Sequence, residues 1–230
     1  MNSHYLYAWV DIGCLLVPLI ASFHPAIPFY KKWKFFFPVA FAVALVFIVW
    51  DTIFTKWGVW SFNPAYVIGL WYLKLPVEEW CFFIFIPYSC TFTYYCCNKF
   101  MKPQQYDTRY TVATIALASI LFGIGLLNHG KLYTFTTFIL LALLLFVLVL
   151  YKVRFLKVFY LAYALNLIPF FISNGILTGA FTDQPVVLYN DHQNLGIRVG
   201  SIPIEDFFYG MLLQLANVAG LNFLDRKDHE

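Results

Sequence analysis

Two short acidic motifs, set 127 residues apart, carry the side chains best suited to chemistry in this 230-residue chain. Leu75-Pro76-Val77-Glu78-Glu79 recurs as Ile202-Pro203-Ile204-Glu205-Asp206. A single such motif is an ordinary helix start, because proline suits the first helical position and acids in the first turn complement the helix dipole. Two copies at corresponding places in so apolar a chain ask for more, since ionisable groups near hydrocarbon are costly and are taken as functional by default. A carboxylic acid desolvated among aromatic rings and beside a second carboxylate keeps its proton near neutral pH, while the partner stays ionised. Glu78, Glu79, Glu205 and Asp206 are therefore the candidates for general acid and base.

Aromatic residues crowd both motifs: Trp57, Trp60, Phe62, Tyr66, Trp71 and Trp80 near the first, Tyr189, Phe207, Phe208 and Tyr209 near the second. Any one of them is most simply an anchor at a membrane interface. Together they offer negative ring faces to a developing carbocation, at roughly 0.5–2 kcal/mol each. Acids and rings in an apolar setting suit protonation of an alkene in a lipid-soluble substrate. The correspondence extends beyond the acids without a gap: Phe54-Thr55 falls on Phe181-Thr182, Val59 on Val186, Phe62-Asn63 on Tyr189-Asn190 and Gly69 on Gly196.

The elements that must position these residues are membrane helices. The chain is 61% hydrophobic and only 12% charged, against roughly 25% charged in soluble domains, and its mean hydropathy is +0.71. A bilayer core needs roughly 20 apolar residues per helix. Seven stretches qualify: Tyr5–Phe23, Phe36–Phe54, Glu79–Cys97, Tyr110–Leu127, Thr134–Tyr151, Phe155–Ile176 and Phe207–Leu224. No basic region or small-residue cleavage site marks a signal peptide, so the first stretch reads as a retained helix. The expected fold is an all-α membrane protein of about seven transmembrane helices, with two parallel three-helix repeats joined by a connector helix. Residues 1–100 form the first repeat, 101–132 the connector with its flanking loops, and 133–230 the second. An odd connector restores the orientation after three helices, so both acidic motifs reach one membrane face and four carboxylates approach one cavity.

Orientation follows from basic residues on alternate sides. Lys31, Lys32, Lys34, Lys99, Lys102, Arg109, Lys152, Arg154, Lys157, Arg226 and Lys227 fall on one side, and only Lys56, Lys74, Lys131 and Arg198 on the other. This places the C-terminus in the cytoplasm and the N-terminus outside. The two long non-cytoplasmic connections, 55–78 and 177–206, are apolar and aromatic, and are expected to lie in the interface or to fold back among the helices. The net charge of +3 is too small to suggest nucleic acid. The five cysteines lack Cys-x-x-Cys spacing and read as buried thiols, and the five histidines show no metal-ligand spacing, so no metal is indicated.

The segments Phe54-Thr55…Gly58-Val59-Trp60-Ser61-Phe62-Asn63-Pro64-x-Tyr66…Gly69 and Leu75–Glu79 resemble the first half of the integral-membrane lycopene cyclases. Ser173-Asn174-Gly175-Ile176-Leu177-Thr178-Gly179, Pro185-Val186-Val187-x-Tyr189-Asn190, Gly196-x-Arg198 and Ile202–Asp206 resemble the second half. In that family the halves occur as two subunits, as one fused chain, or joined to phytoene synthase, and this chain looks like the fused bacterial form. The resemblance implies conversion of lycopene to β-carotene via γ-carotene by an acid-catalysed, redox-neutral isomerisation. Protonation at C2 leaves a tertiary cation at C1, the C5–C6 double bond closes a six-membered ring, and loss of the C6 proton gives a β-ring. It implies Glu78, Glu79, Glu205 and Asp206 as acid and base, Asn63 and Asn190 as residues that orient carboxylates, and Arg198 as an ion-pair partner for one of them. Trp60, Phe62, Tyr66 and Tyr189 are the expected substrate contacts. Which carboxylate does which job, the number of ends cyclised, the ring type and the oligomeric state are left open. The implied partners are lycopene and the lipid bilayer, in a bacterial cytoplasmic membrane.

No cofactor is indicated. Gly123-x-Gly125 lies inside a span without a strand or a third glycine, which separates the chain from flavin-dependent soluble-type cyclases. A small transporter with three-plus-one-plus-three parallel repeats is the alternative, although Pro76 and Pro203 sit at span ends where transporter repeats break mid-span. A purely structural or assembly role is the bland reading. A retinal photoreceptor would need a lysine in Phe207–Leu224, and membrane prenyltransfer would need Asp-rich diphosphate motifs; neither feature is present.

Overall fold

A computed structural model describes residues 4–101 and 105–227; of Arg226 and Lys227 only the backbone is described, and Lys102 lies outside the described residues. Among the described residues seven α-helices make up nearly all of the regular structure: α1 (Leu6–Ala21), α2 (Trp33–Trp57, entered through a 3-10 turn at Phe29–Lys32), α3 (Val77–Phe100), α4 (Thr108–Leu127), α5 (Leu132–Leu150), α6 (Leu156–Leu177) and α7 (Ile204–Lys227). All but α1 are long and apolar enough to cross a membrane. At 1.5 Å per residue the 16 residues of α1 reach about 24 Å, short of a typical ~30 Å hydrocarbon core. The chain is an integral membrane protein.

Helix ends follow local chemistry. Gly58 ends α2 in the left-handed conformation (φ 70°), where its N–H reaches the carbonyls of Phe54 and Thr55. Asp107 caps α4 by accepting from the Arg109 N–H at 2.9 Å. In the bundle α1 packs on α3, α3 on α6, α2 on α3 and α7, and α5 on α7, while α4 packs chiefly on α5. Pro76 and Pro203 each close a short strand one residue before their helix begins.

The two long connections fold back over one end of the bundle. Strand β1 (Trp60–Phe62) comes from the first, and β4 (Val187–Tyr189) from the second. They pair antiparallel as Trp60 with Tyr189, Ser61 with Leu188 and Phe62 with Val187. The central pair, Ser61 and Leu188, is 127 residues apart. The flanking bonds are reciprocal at the same offset: the Asn63 N–H donates to the Val186 carbonyl at 2.8 Å, and the Asn190 N–H to the Val59 carbonyl at 2.9 Å. Each connection then forms a small hairpin, β2 (Trp71–Tyr72) with β3 (Leu75–Pro76) and β5 (Arg198–Val199) with β6 (Ile202–Pro203). The Val77 N–H donates to the Leu70 carbonyl and the Ile204 N–H to that of Ile197, both at 2.9 Å. The hairpins set the start of α3 and of α7 by the same hydrogen bond. Trp60, Phe62, Tyr66, Val67 and Val186 are buried, which accounts for part of the apolar character of these connections, while Leu70, Trp71, Tyr72 and Leu73 stay exposed, at a depth that suits aromatic and apolar side chains in a membrane interface.

Candidate active site

Beneath the paired strands lies a cavity of about 650 Å³. Glu79 and Asp206 line it; Glu78 and Glu205 do not. Successive residues in a helix are about 100° apart, so adjacent acids must face different ways. Glu78 Oε1 accepts from the Ile68 N–H at 2.6 Å, and Glu205 Oε1 from the Leu195 N–H at 2.7 Å and the Thr134 hydroxyl at 2.6 Å. Ile68 and Leu195 are again 127 residues apart. Of the four carboxylates expected to share one cavity, two do so, and the other two tie their hairpins to the helix starts.

The two cavity acids have different neighbours. Glu79 Oε2 accepts from the Tyr7 hydroxyl at 2.5 Å. Across from Glu79, within hydrogen-bonding reach, is Asp51 near the end of α2. Asp51 is 1% exposed and takes a hydrogen bond from Trp60 Nε1 on Oδ1, while Oδ2 has no donor. Asp206 has three donors instead: the Tyr133 hydroxyl to Oδ1 at 2.6 Å, Asn174 Nδ2 to Oδ2 at 2.7 Å and the Tyr189 hydroxyl to Oδ2 at 2.9 Å.

Between the two acid groups stand Trp60, Tyr133, Tyr189 and Tyr209, all lining the cavity. Ring centroids are 5.1 Å apart for Trp60–Tyr133, 5.9 Å for Tyr133–Tyr189 and 6.0 Å for Tyr133–Tyr209, within the range of favourable aromatic pairing. Because Trp60 holds Asp51 while Tyr133 and Tyr189 hold Asp206, this box connects both groups. Away from it the cavity runs along α3 from Glu79 to Thr93, which is about 21 Å of helix. Trp9 and Val17 of α1 and Ile172 of α6 line the cavity and are also exposed, so it opens sideways between these helices.

Sequence-predicted residues divide accordingly. Trp60, Phe62 and Tyr189 line the cavity, whereas Tyr66 is buried outside its walls. Asn63 and Asn190 do not orient carboxylates. Asn63 accepts from the Ala65 N–H and donates to the Pro185 carbonyl and Gln184; Asn190 accepts from the His192 N–H and donates to the Gly58 carbonyl. Their short side chains are committed to local turns and to tying one connection to the other. Arg198 does not pair with a motif acid either. It binds Asp191 at 2.6 Å and the Ser201 carbonyl at 2.8 Å on the outer side of its hairpin, where a guanidinium stays hydrated. Tyr7, Asp51, Tyr133 and Asn174 enter the site without having been singled out for it. Asp51 carried a signal, as an acid inside an otherwise apolar span. Asp11 carried the same signal; it is 1% exposed, neither oxygen has a donor, and it does not line the cavity.

The helices and this cavity define a polytopic membrane protein built around an acid-lined apolar chamber. It belongs to the lycopene cyclase family: the family model described as lycopene cyclase matches residues 4–97 and 130–224. Among curated proteins, the chain is similar to a bifunctional lycopene cyclase/phytoene synthase of Aspergillus niger, 28% identical over 147 residues that cover 60% of this chain and 24% of that protein. A protein of the same description from Pyrenophora tritici-repentis is 28% identical over 150 residues, covering 58% of this chain and 26% of its own. The chain thus spans about a quarter of the length of these relatives. No solved structure matches it. Nothing in these comparisons supports a transporter.

Proposed function

We propose that this chain is a lycopene β-cyclase, closing the ends of lycopene to give β-carotene via γ-carotene. One observation carries the reading: Glu79 and Asp206, from the two copies of the acidic motif, face a single elongated apolar cavity with an aromatic box between them. An alkene is a weak base, and protonating it needs an acid held out of water beside groups that tolerate the resulting cation. Acid protons at one end of the slot meet the terminal double bond, and ring faces of Trp60, Tyr133, Tyr189 and Tyr209 lie along the path of the C1 cation. The second acid removes the C6 proton, so electrons balance without a redox partner. A slot about 21 Å deep that opens toward lipid suits a rod-like hydrocarbon entering from the bilayer.

The same reading places residues 1–100 and 133–230 as the two cyclase repeats, with 101–132 as the connector; none of the cavity residues comes from α4. It also places the chain in a bacterial cytoplasmic membrane, N-terminus outside and C-terminus inside, so the acids lie near the outer ends of the helices.

Expression in lycopene-accumulating bacteria tests the proposal. Pink cells should turn yellow-orange, with β-ringed products on chromatography. Lycopene persisting beside well-inserted protein would reject it.

A further inference from the structure

We infer that Asp51 shares a proton with Glu79 and makes that pair the acid half of the site, leaving Asp206 to accept the proton lost from the substrate. The inference rests on the cyclase reading for its chemistry, and on geometry for the shared proton.

Asp51 Oδ2 is buried without a donor, the Thr55 hydroxyl lies near the Asp51 carboxyl, and that carboxyl is within hydrogen-bonding reach of the Glu79 carboxyl. Two carboxylates contain only acceptors, so the contact is satisfied when one of them carries a hydrogen. The titratable groups around the pair are Tyr7 and Asp11 of α1, Glu78 of α3, Tyr189 of β4 and Tyr209 of α7. None of these is a base, so among the described residues no cation beside the pair offsets a second negative charge in this apolar place. Like charges at contact distance in such a setting cannot both ionise, and the pair keeps a proton between its members.

The opposite side lacks this arrangement. Asn174 on α6 stands against Asp206 much as Asp51 on α2 stands against Glu79. Under the 127-residue offset the two positions differ by one helical turn. An amide in place of a carboxyl is a fixed donor, and with Tyr133 and Tyr189 it gives Asp206 three hydrogen bonds that favour the anion. The architecture is paired and the chemistry is not.

The steps balance. The proton of the Glu79–Asp51 pair goes to C2 as the terminal π electrons form the C–H bond, leaving a cation at C1 against the negative charge gained by the pair. The C5–C6 π electrons form the C1–C6 bond, moving the cation to C5. The C6–H electrons restore a double bond while the proton passes to Asp206. Each ring takes one proton from the pair and gives one to Asp206, and exchange with water resets both. Asp51 acts through Glu79 as its proton-sharing partner.

Two measurements on the full-length purified protein test this, one independent of activity. Infrared spectra recorded as wild type minus Asp51→Asn should show a protonated-carboxyl C=O band above neutral pH. Wild type minus Glu79→Gln should show it as well, and wild type minus Asp206→Asn should not; any band from Asp11 cancels in each difference. Absence of the band from the Asp51→Asn difference overturns the inference even if the wild type cyclises lycopene. Its presence in a wild-type protein that leaves lycopene untouched upholds the shared proton and rejects the cyclase reading instead. In turnover assays, Asp51→Asn should lose at least 100-fold at pH 7 and regain part of it in acid, its alkaline limb moving down by a unit or more. Asp51→Glu should recover a measurable fraction. A loss of equal size at every pH would mark a structural role and overturn the assignment.

Discussion

Replacing each motif acid by its amide should separate two kinds of carboxylate that the sequence writes side by side. Glu79→Gln keeps the size of the side chain and an acceptor for Tyr7, but removes the proton that the cavity presents. Loss of a general acid costs about 10²–10⁴ in rate, or about 3–5 kcal/mol of barrier. Its melting temperature should move little, because the substitution removes a carboxyl from an apolar wall and leaves the packing intact. Glu205→Gln does the reverse. Glu205 Oε1 holds two donors at 2.6 and 2.7 Å, and weakening each of these buried bonds lowers stability by about 1 kcal/mol. A loss of about 2 kcal/mol corresponds to roughly 4–8 °C for a chain of this size. Glu78, with one such donor, should give about half that. Carotenoid chromatography normalised to membrane-inserted protein, paired with thermal unfolding in detergent, reads both axes. The expected result is Glu79→Gln stable and inactive, with Glu78→Gln and Glu205→Gln less stable and active below their melting temperatures. If the two outward acids prove as essential as Glu79 while melting like the wild type, the division between cavity acids and hairpin ties is wrong.

Other outcomes test the packing and the topology. Gly220→Ala puts a new Cβ 2.5 Å from Val39 Cγ1 where α7 crosses α2, so overpacking of about 1–3 kcal/mol outweighs the ~1 kcal/mol of helix propensity gained. The single variant should melt below wild type, and adding Val39→Ala should recover most of the loss; a Gly220→Ala protein at least as stable as wild type contradicts the crossing. With the five native cysteines replaced, His129→Cys should react with an impermeant thiol reagent from outside intact cells, and Tyr151→Cys only after the membrane is opened. The opposite pattern inverts the orientation.

Much of the fold was readable because lipid imposes a coarse requirement. Every span expected from apolar run length coincides with a helix to within a few residues, α1 included, since unsatisfied backbone is intolerable in hydrocarbon and leaves little choice of structure. The site was readable only in part. The Pro-x-Glu-acid pairs pointed to the helix starts that line the candidate cavity, but sequence adjacency does not say which of two neighbouring acids faces inward. Asn63 and Asn190 stood out by their matching positions, yet turn formation explains them and catalysis does not. Tyr7, Asp51, Tyr133 and Asn174 were harder to find because each comes from a different helix, and only the bundle brings them together. Asp51 and Asp11 looked alike in sequence, each a lone acid within an apolar run; one faces the cavity and the other does not.

The proposed duplication accounts for a scaffold that is regular around a proposed reaction that is not. Protonation and deprotonation occur at different carbons of the same end group, so a site with two identical carboxyls would have no preferred direction. The hydrogen bonds that recur at the 127-residue offset belong to the β1–β4 pair, to the Asn63 and Asn190 turns, to the hairpins and to the helix starts, where both halves need the same backbone geometry. On the cavity the correspondence breaks: a carboxyl stands beside Glu79, and an amide with two phenols surrounds Asp206. If that asymmetry sets the direction of proton flow, exchanging the two environments should matter more than weakening either. Asp51→Asn combined with Asn174→Asp should not restore what Asp51→Asn loses, even though the count of carboxyl groups is conserved, because Asp206 would then face a carboxyl and Glu79 a fixed donor. Recovery of wild-type turnover in that double variant would mean that the number of acids, and not their arrangement, governs the reaction.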